Sequence, residues 1–264
     1  MVEENQDNTI QDDINKDNES DDSLIEEIED HKSRIVIRII AAITVISLVF
    51  LIAAPIFTNL NLPALDFLKE SLRLTQQKEV KQFQESIATI TIENRKGTGF
   101  NIDEQGLVVT NAHVVENAKN VQVSFYKGKT SKGDIWKIYP DIDIALIKIE
   151  GEAFPTLKLA QNTRANSGDE VLIIGNPLAY QGVANKGVVY GRAKLKEIQE
   201  PILLIDGPVN QGNSGSPVLN RKGEVIGVIF ATVNIDNENG KSKKLGAAIP
   251  IECLLKYLPD YSTI

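Results

Sequence analysis

An all-β fold, a sandwich or a barrel, is predicted for the C-terminal two thirds of the chain by three observations. Short Val- and Ile-rich runs recur from about Ser86 onward. Gly, Asn, Asp and Lys separate them, the pattern of several short strands joined by turns. Helical periodicity appears in that region only at its end, where Ile251, Leu254, Leu255 and Leu258 fall at i, i+3, i+4 and i+7 behind Pro250. Roughly 180 residues are enough to bury a sizeable core without covalent staples.

The elements follow in order. Residues 1–31 hold 13 Asp or Glu and one Lys, a net charge of -12. The whole chain carries -8, so the remainder carries +4 and the acidity belongs to the tail. So few apolar residues cannot offset the entropy of ordering, and residues 1–34 are expected to be a disordered acidic tail. Within it, Ser23-Leu24-Ile25-Glu26 resembles a capping box opening a short helix, and a docking peptide is the functional alternative to a solvated tail.

Ile39 to Phe57 is an apolar run of 19 residues, relieved only by Thr44, Ser47 and Pro55. As a helix it spans about 28 Å, close to the hydrocarbon thickness of a bilayer. Residues 35–58 are therefore expected to form a transmembrane anchor. Lys32, Arg34 and Arg38 precede it, and the next basic residue is Lys69. That bias places the N-terminus in the cytoplasm and the C-terminal part outside. A cleaved signal peptide is the competing reading, disfavoured by the acidic segment ahead of the run and by the run's length. Residues 59–84, with Leu65, Leu68 and Leu72 at helical spacing, are expected to be a helical stalk or linker.

Residues 85–264 make up the expected all-β domain. Its strand candidates are Ile87–Ile92, Leu107–Val109, Val121–Phe125, Ala145–Ile149, Val171–Ile174, Val188–Tyr190, Ile202–Ile205, Val225–Phe230 and Gly246–Ile249. The polar run Asn234–Lys244 is expected to be a mobile loop.

Composition narrows the chemistry. One cysteine, Cys253, excludes an intrachain disulfide. It lies on the terminal helix, where a buried or surface thiol is expected rather than a nucleophile. Two histidines, His31 and His113, exclude a His-rich metal site, and neither a metal nor a cofactor is expected. No basic block suggests nucleic acid.

One stretch stands out against this background: Asn210-Gln211-Gly212-Asn213-Ser214-Gly215-Ser216-Pro217. Glycines flanking a serine permit positive φ and close backbone approach. Such a loop can present a hydroxyl and aim successive N–H groups at one spot, as attack on a carbonyl requires. A plain Gly-Asn-Ser turn between strands has the same composition. A serine needs a base, and His113, at the end of the strand-like Leu107–Val109, is the only imidazole available to this domain. A base needs a carboxylate to fix its tautomer. Asp143, at the entry to an apolar strand, is the candidate, with Asp141 as the alternative.

Thr110-Asn111-Ala112-His113-Val114-Val115, then Asp143-Ile144-Ala145-Leu146-Ile147-Lys148, then Gly212-Asn213-Ser214-Gly215-Ser216-Pro217 resemble, in that order, the HtrA-type (DegP-like) trypsin-fold serine proteases. Gly97-Thr98-Gly99-Phe100-Asn101-Ile102-Asp103 is similar to the family's first glycine-rich strand. Ile174-Gly175-Asn176-Pro177, Gly187-Val188-Val189-Tyr190 and Ala248-Ile249-Pro250 resemble later landmarks, and the likeness covers roughly residues 86–258. It implies a chymotrypsin/trypsin-like double β-barrel with the active site in the crevice between barrels. It implies His113 as general base, Asp143 as its orienter and Ser214 as nucleophile. The oxyanion hole would be formed by Gly212 and Ser214, with Asn213 holding the loop between them. Val209, Asn210, Phe230, Ala231 and Thr232 would approach the primary substrate pocket, near Pro208. Asp206 would be a structural hydrogen-bonding residue, so a strict Arg/Lys preference is not expected.

The resemblance further implies polypeptide substrates and a homotrimer. Together with the anchor it implies a protease domain outside a bacterial cytoplasmic membrane. Two departures are expected to matter. Ser216 stands where the family has Gly, and its Cβ could crowd the substrate side. The 264 residues hold no PDZ domain, so regulation through one is expected to be absent from this polypeptide. The alternative function is a latent trypsin-fold module that binds peptides or partners. An esterase using the same residues is disfavoured, because Gly-x-Ser-x-Gly does not surround Ser214.

Overall fold

The computed structural model describes residue 38, residues 40–48 and residues 71–258, apart from 94, 119, 127, 129, 162, 163, 178, 179, 196, 197, 199 and 237–241. The chain divides into two units, residues 1–62 and 63–264. In the first, residues 40–48 are helical and exposed, and the Thr44 hydroxyl donates back to the Ile40 carbonyl at 2.8 Å. They belong to the apolar run expected to be an anchor, whose remainder lies outside the described residues. So do the acidic tail and its capping-box motif. No helix among the described residues is long and apolar enough to cross a membrane.

Among the described residues, the second unit holds twelve strands. β1 (Ile87–Ile92), β2 (Arg95–Asn101), β3 (Leu107–Thr110), β4 (Val121–Phe125), β5 (Thr130–Tyr139) and β6 (Ile144–Ile149) close one barrel in the order β1-β2-β3-β6-β5-β4. β7 (Glu170–Gly175), β8 (Val183–Ala193), β9 (Ile202–Asp206), β10 (Pro217–Leu219), β11 (Val225–Asp236) and β12 (Ser242–Pro250) close the other in the order β10-β11-β12-β9-β8-β7. The double barrel expected from the sequence is the fold observed.

The strands of the first barrel explain why the sequence shows apolar runs rather than clean alternation. Along β6, Ala145, Ile147 and Ile149 point into the barrel with Ala88, Ile90 and Val108. Ile144 and Leu146 point the other way and join one continuous core with Ile173, Val218 and Ile229 of the second barrel. Side chains alternate faces along a strand, so a strand buried on both faces must be apolar at every step.

Three elements differ from expectation. β5 was not anticipated, because Thr130-Ser131-Lys132-Gly133-Asp134 opens it with polar residues and most of its side chains are exposed. The run read as a mobile loop contributes strand residues instead. Asn234, Ile235 and Asp236 of β11 pair with Lys244, Lys243 and Ser242 of β12. Cross-strand backbone pairing satisfies these polar residues' main chains, which composition does not reveal. The third is the expected stalk. Residues 71–74 are helical, and helix α1 (Lys78–Glu85) follows. Leu74 and Val80 are buried in the shared core, while Leu72 is exposed. Ser71 Oγ accepts from the Ala184 N–H at 3.0 Å, and Gln84 Nε2 donates to the Gly182 carbonyl. This segment is part of the domain's body. The expected Leu65 and Leu68 lie outside the described residues.

Helix α2 (Ala112–Val115) follows β3, and helix α3 (Ile251–Leu255) follows β12. Ile251, Cys253 and Leu254 of α3 are buried, and Glu252 is paired with Arg192 Nη1 at 2.8 Å.

Candidate active site

His113 sits in the single turn of α2, immediately after β3. Asp143 closes the short 3₁₀ turn Pro140–Ile142 before β6, and β3 and β6 are paired neighbours. The sheet therefore brings the two residues together across 30 positions of sequence. The Asp143 carboxylate grips His113 twice: Oδ1 accepts the His113 backbone N–H at 3.0 Å, and Oδ2 lies 2.7 Å from Nδ1. A carboxylate accepts and does not donate, so Nδ1 carries the proton and Nε2 is left as the basic nitrogen. Asp143 adopts φ 48°, a left-handed conformation rare for a residue with a side chain. Its carbonyl is held there by the Ala112 N–H at 3.2 Å and by Asn111 Nδ2 at 3.0 Å. The alternative, Asp141, is exposed within the 3₁₀ turn.

The serine loop lies between β9 and β10. Gly212 and Gly215 both have positive φ, 95° and 86°, which accounts for glycines on either side of the serine. A Cβ at Gly212 would lie 2.6 Å from the Asn176 carbonyl oxygen, and one at Gly215 would overlap the Thr98 carbonyl. The turn is closed by Asn213 N–H to Asn210 O at 3.1 Å and by Ser216 N–H to Asn213 O at 2.9 Å. Gly215 N–H donates to Ile229 O at 2.8 Å. The N–H groups of Gly212 and Ser214 have no hydrogen-bond acceptor among the described residues. The Asn213 N–H, turned to Asn210, is not available to an oxyanion.

Serine and histidine elements meet at Gly97, where a Cβ would lie 2.8 Å from Val114 Cγ1 and 3.4 Å from the Ser214 carbonyl. Ser214 Oγ donates to the Phe230 carbonyl at 3.4 Å, a long bond. Proton transfer to His113 requires a rotation of that hydroxyl, and loose geometry of this kind is common in substrate-free sites.

Ser216 points inward, contrary to the crowding of substrate expected from its Cβ. It is fully buried, and its side chain lies against Gly175 rather than on the substrate side. Of the pocket candidates, Val209 is buried and covers Gly246, where a Cβ would meet Val209 Cγ2 at 2.7 Å. Asn210, Phe230 and Ala231 are half-buried and Thr232 is exposed. Asp206 lies outside this group and pairs with Lys243 Nζ at 2.6 Å. No group of three or more His, Cys, Asp or Glu residues suited to a metal ion occurs among the described residues.

Sequence reasoning missed Thr98, whose backbone and hydroxyl both contact the serine loop. It stood inside a recognised glycine-rich landmark, but its inward direction is set by the β1–β2 register, not by composition.

Comparison with known proteins agrees with this geometry. Residues 97–228 match the family model described as a trypsin-like peptidase domain. A Synechocystis sp. protein bearing the name serine protease HhoB is 36% identical over 167 residues, covering 61% of this chain and 38% of that one. A Chlamydia trachomatis protein named as a DegP-like periplasmic serine endoprotease is 39% identical over 158 residues, covering 59% and 31%. The chain thus spans about a third of the length of these curated relatives. Among solved structures, the HtrA-type protease AlgW with a decapeptide superposes with a TM-score of 0.60 at 20% identity, over 70% of this chain and 66% of that one. A serine endoprotease from Yersinia pestis gives 0.59 at 24% identity, over 69% and 65%. At such identities the structures speak to the fold, and the sequence matches to the family. The chain belongs to the trypsin-like peptidase family, in its HtrA-type (DegP-like) branch.

Proposed function

We propose that the chain is a membrane-anchored serine endopeptidase that cleaves unfolded or exported polypeptides outside the cytoplasmic membrane. The observation that carries this reading is the double grip of Asp143 on His113, which leaves Nε2 free to act as a base. In the proposed reaction the Ser214 hydroxyl swings from the Phe230 carbonyl toward Nε2. Its proton passes to His113 as Oγ attacks the scissile carbonyl, and Asp143 steadies the imidazolium that forms. The unengaged N–H groups of Gly212 and Ser214 receive the oxyanion. His113 then returns the proton to the leaving amine, and water releases the acyl group by the same steps in reverse.

A latent binding module would be favoured by a collapsed serine loop. The free Gly212 and Ser214 N–H groups favour the endopeptidase instead. By the family's register no acidic residue falls at the base of the primary pocket, which suits small or medium apolar residues before the cleaved bond. Anchorage rests on the apolar run Ile39 to Phe57 and the basic residues before it. A trimeric assembly is part of the same family-based reading.

The test is casein cleavage by the full-length protein in detergent, beside Ser214→Ala, with carbonate extraction of membranes in parallel. Cleavage lost in the variant and retention in the membrane pellet are expected. Undiminished cleavage by the variant removes the serine mechanism, and release into the carbonate supernatant removes the anchor.

A further inference from the structure

Thr98 occupies an unusual position in the hydrogen-bond pattern. It is a fully buried residue of β2, in the first barrel, yet its backbone N–H and its hydroxyl are directed at the second. Its backbone N–H donates to the Ser214 carbonyl at 2.8 Å. Its hydroxyl donates to the Gly212 carbonyl at 2.7 Å and accepts the Asn176 N–H at 3.0 Å. Its own carbonyl accepts from Thr110 Oγ1 at 2.7 Å. One residue therefore holds the loop on both sides of Asn213, at the two residues whose N–H groups are unengaged.

The hydroxyl has one proton and uses it on Gly212. Asn176 fixes which way that proton points, because its N–H can only be met by an oxygen lone pair. Asn176 is itself held: its Oδ1 accepts the Gly182 N–H at 2.8 Å and its Nδ2 donates to the Ala88 carbonyl at 2.9 Å. A β-branched residue is stiff at χ1, so the hydroxyl is presented rather than allowed to wander. Gly212 needs such a hold. A glycine with φ 95° has little intrinsic preference to stay there, and swinging its carbonyl reorients the adjoining peptide units.

We infer that Thr98 is a positioning residue of the oxyanion site: its hydroxyl fixes the Gly212 carbonyl and so holds the neighbouring N–H groups ready to receive negative charge. Its effect on rate rests on the endopeptidase reading above; its hold on the loop does not.

The experiment compares full-length wild type with T98V, T98A and T98S by peptide-substrate kinetics and by amide hydrogen exchange of residues 210–215. T98V keeps the shape and loses the hydroxyl, T98A leaves room for water, and T98S keeps the hydroxyl. Misplacement of catalytic groups by an ångström costs up to about 100-fold, so kcat is expected to fall about 10- to 100-fold in T98V and T98A. KM should stay within about threefold, because the lost interaction belongs to the transition state. T98S should recover to within about threefold of wild type, and the 210–215 segment should exchange faster in T98V and T98A only. Should T98V fail to fold, T98A against T98S carries the same comparison. Wild-type kcat and exchange in the hydroxyl-free variants, or a T98S as impaired as they are, overturns the inference. If the wild type itself turns nothing over, the endopeptidase reading fails, and exchange alone decides the clamp: faster in T98V or T98A supports it, unchanged overturns it.

Discussion

Asp143 combines a backbone cost with a chemical gain. Its left-handed φ of 48° is held by bonds to its carbonyl from Ala112 and Asn111, and in return both carboxylate oxygens reach His113. Asn tolerates the left-handed region better than Ala, so Asp143→Asn is the cleaner substitution. It should fold normally and lose about 10⁴-fold in kcat, because an amide no longer dictates which ring nitrogen is protonated. Steady-state kinetics beside a thermal melt would show both halves of that expectation. Gly175 tests the inward placement of Ser216. A Cβ there meets Ser216 Oγ and comes within 2.5 Å of Asn213 Oδ1. Gly175→Ala should destabilise by about 1–3 kcal/mol, as overpacking does. Adding Ser216→Gly should restore part of that loss, which a double-mutant denaturation series would reveal. Cys253 shows the opposite case, a buried group that chemistry leaves alone. Burial first, then the nearby Glu200 and Glu252 carboxylates, push its thiol up to about 11. The folded protein should resist iodoacetamide at pH 8. Because the unfolded thiol ionises first, its contribution to stability is present below about pH 9 and is lost as the pH rises toward 11.

At the scale of elements, legibility followed burial. β1 and β4 were readable to the residue because Ile87–Ile92 and Val121–Phe125 are dense in β-branched side chains facing cores. β5 was not readable, since a strand with most side chains in solvent carries no apolar signal, and only its pairing with β4 and β6 defines it. The residues of the serine loop could be named from sequence, because glycines at positive φ and an isolated imidazole are strong constraints. The direction of Ser216 could not, because it depends on the absence of a side chain at Gly175, 41 positions away. Helix α1 likewise looked like a spacer. Its attachment rests on Val80 and on Phe83, which lies over the Gly223 turn. Val80→Ala should cost about 1–2 kcal/mol from lost burial. For a domain of this size that is a fall in Tm of about 2–8 °C by calorimetry.

At the scale of the molecule, one core joins the two barrels beside a second inside the first, and the candidate site is assembled from both barrels. His113 and Asp143 come from the first, Ser214 from the second, and Thr98 of the first barrel bonds the serine loop of the second. Neither barrel alone could place base and nucleophile, which explains why the order of motifs along the chain was informative while their distances were not. We propose that Ser214 is a nucleophile made reactive by His113 and held beside two ready N–H groups. Fluorophosphonate labelling of the full-length protein, mapped by peptide mass spectrometry, tests it most directly. A single adduct on Ser214 is expected, abolished in Ser214→Ala and slowed by orders of magnitude in His113→Ala. Absence of an adduct in the wild type, or equal labelling of the His113→Ala protein, would contradict it.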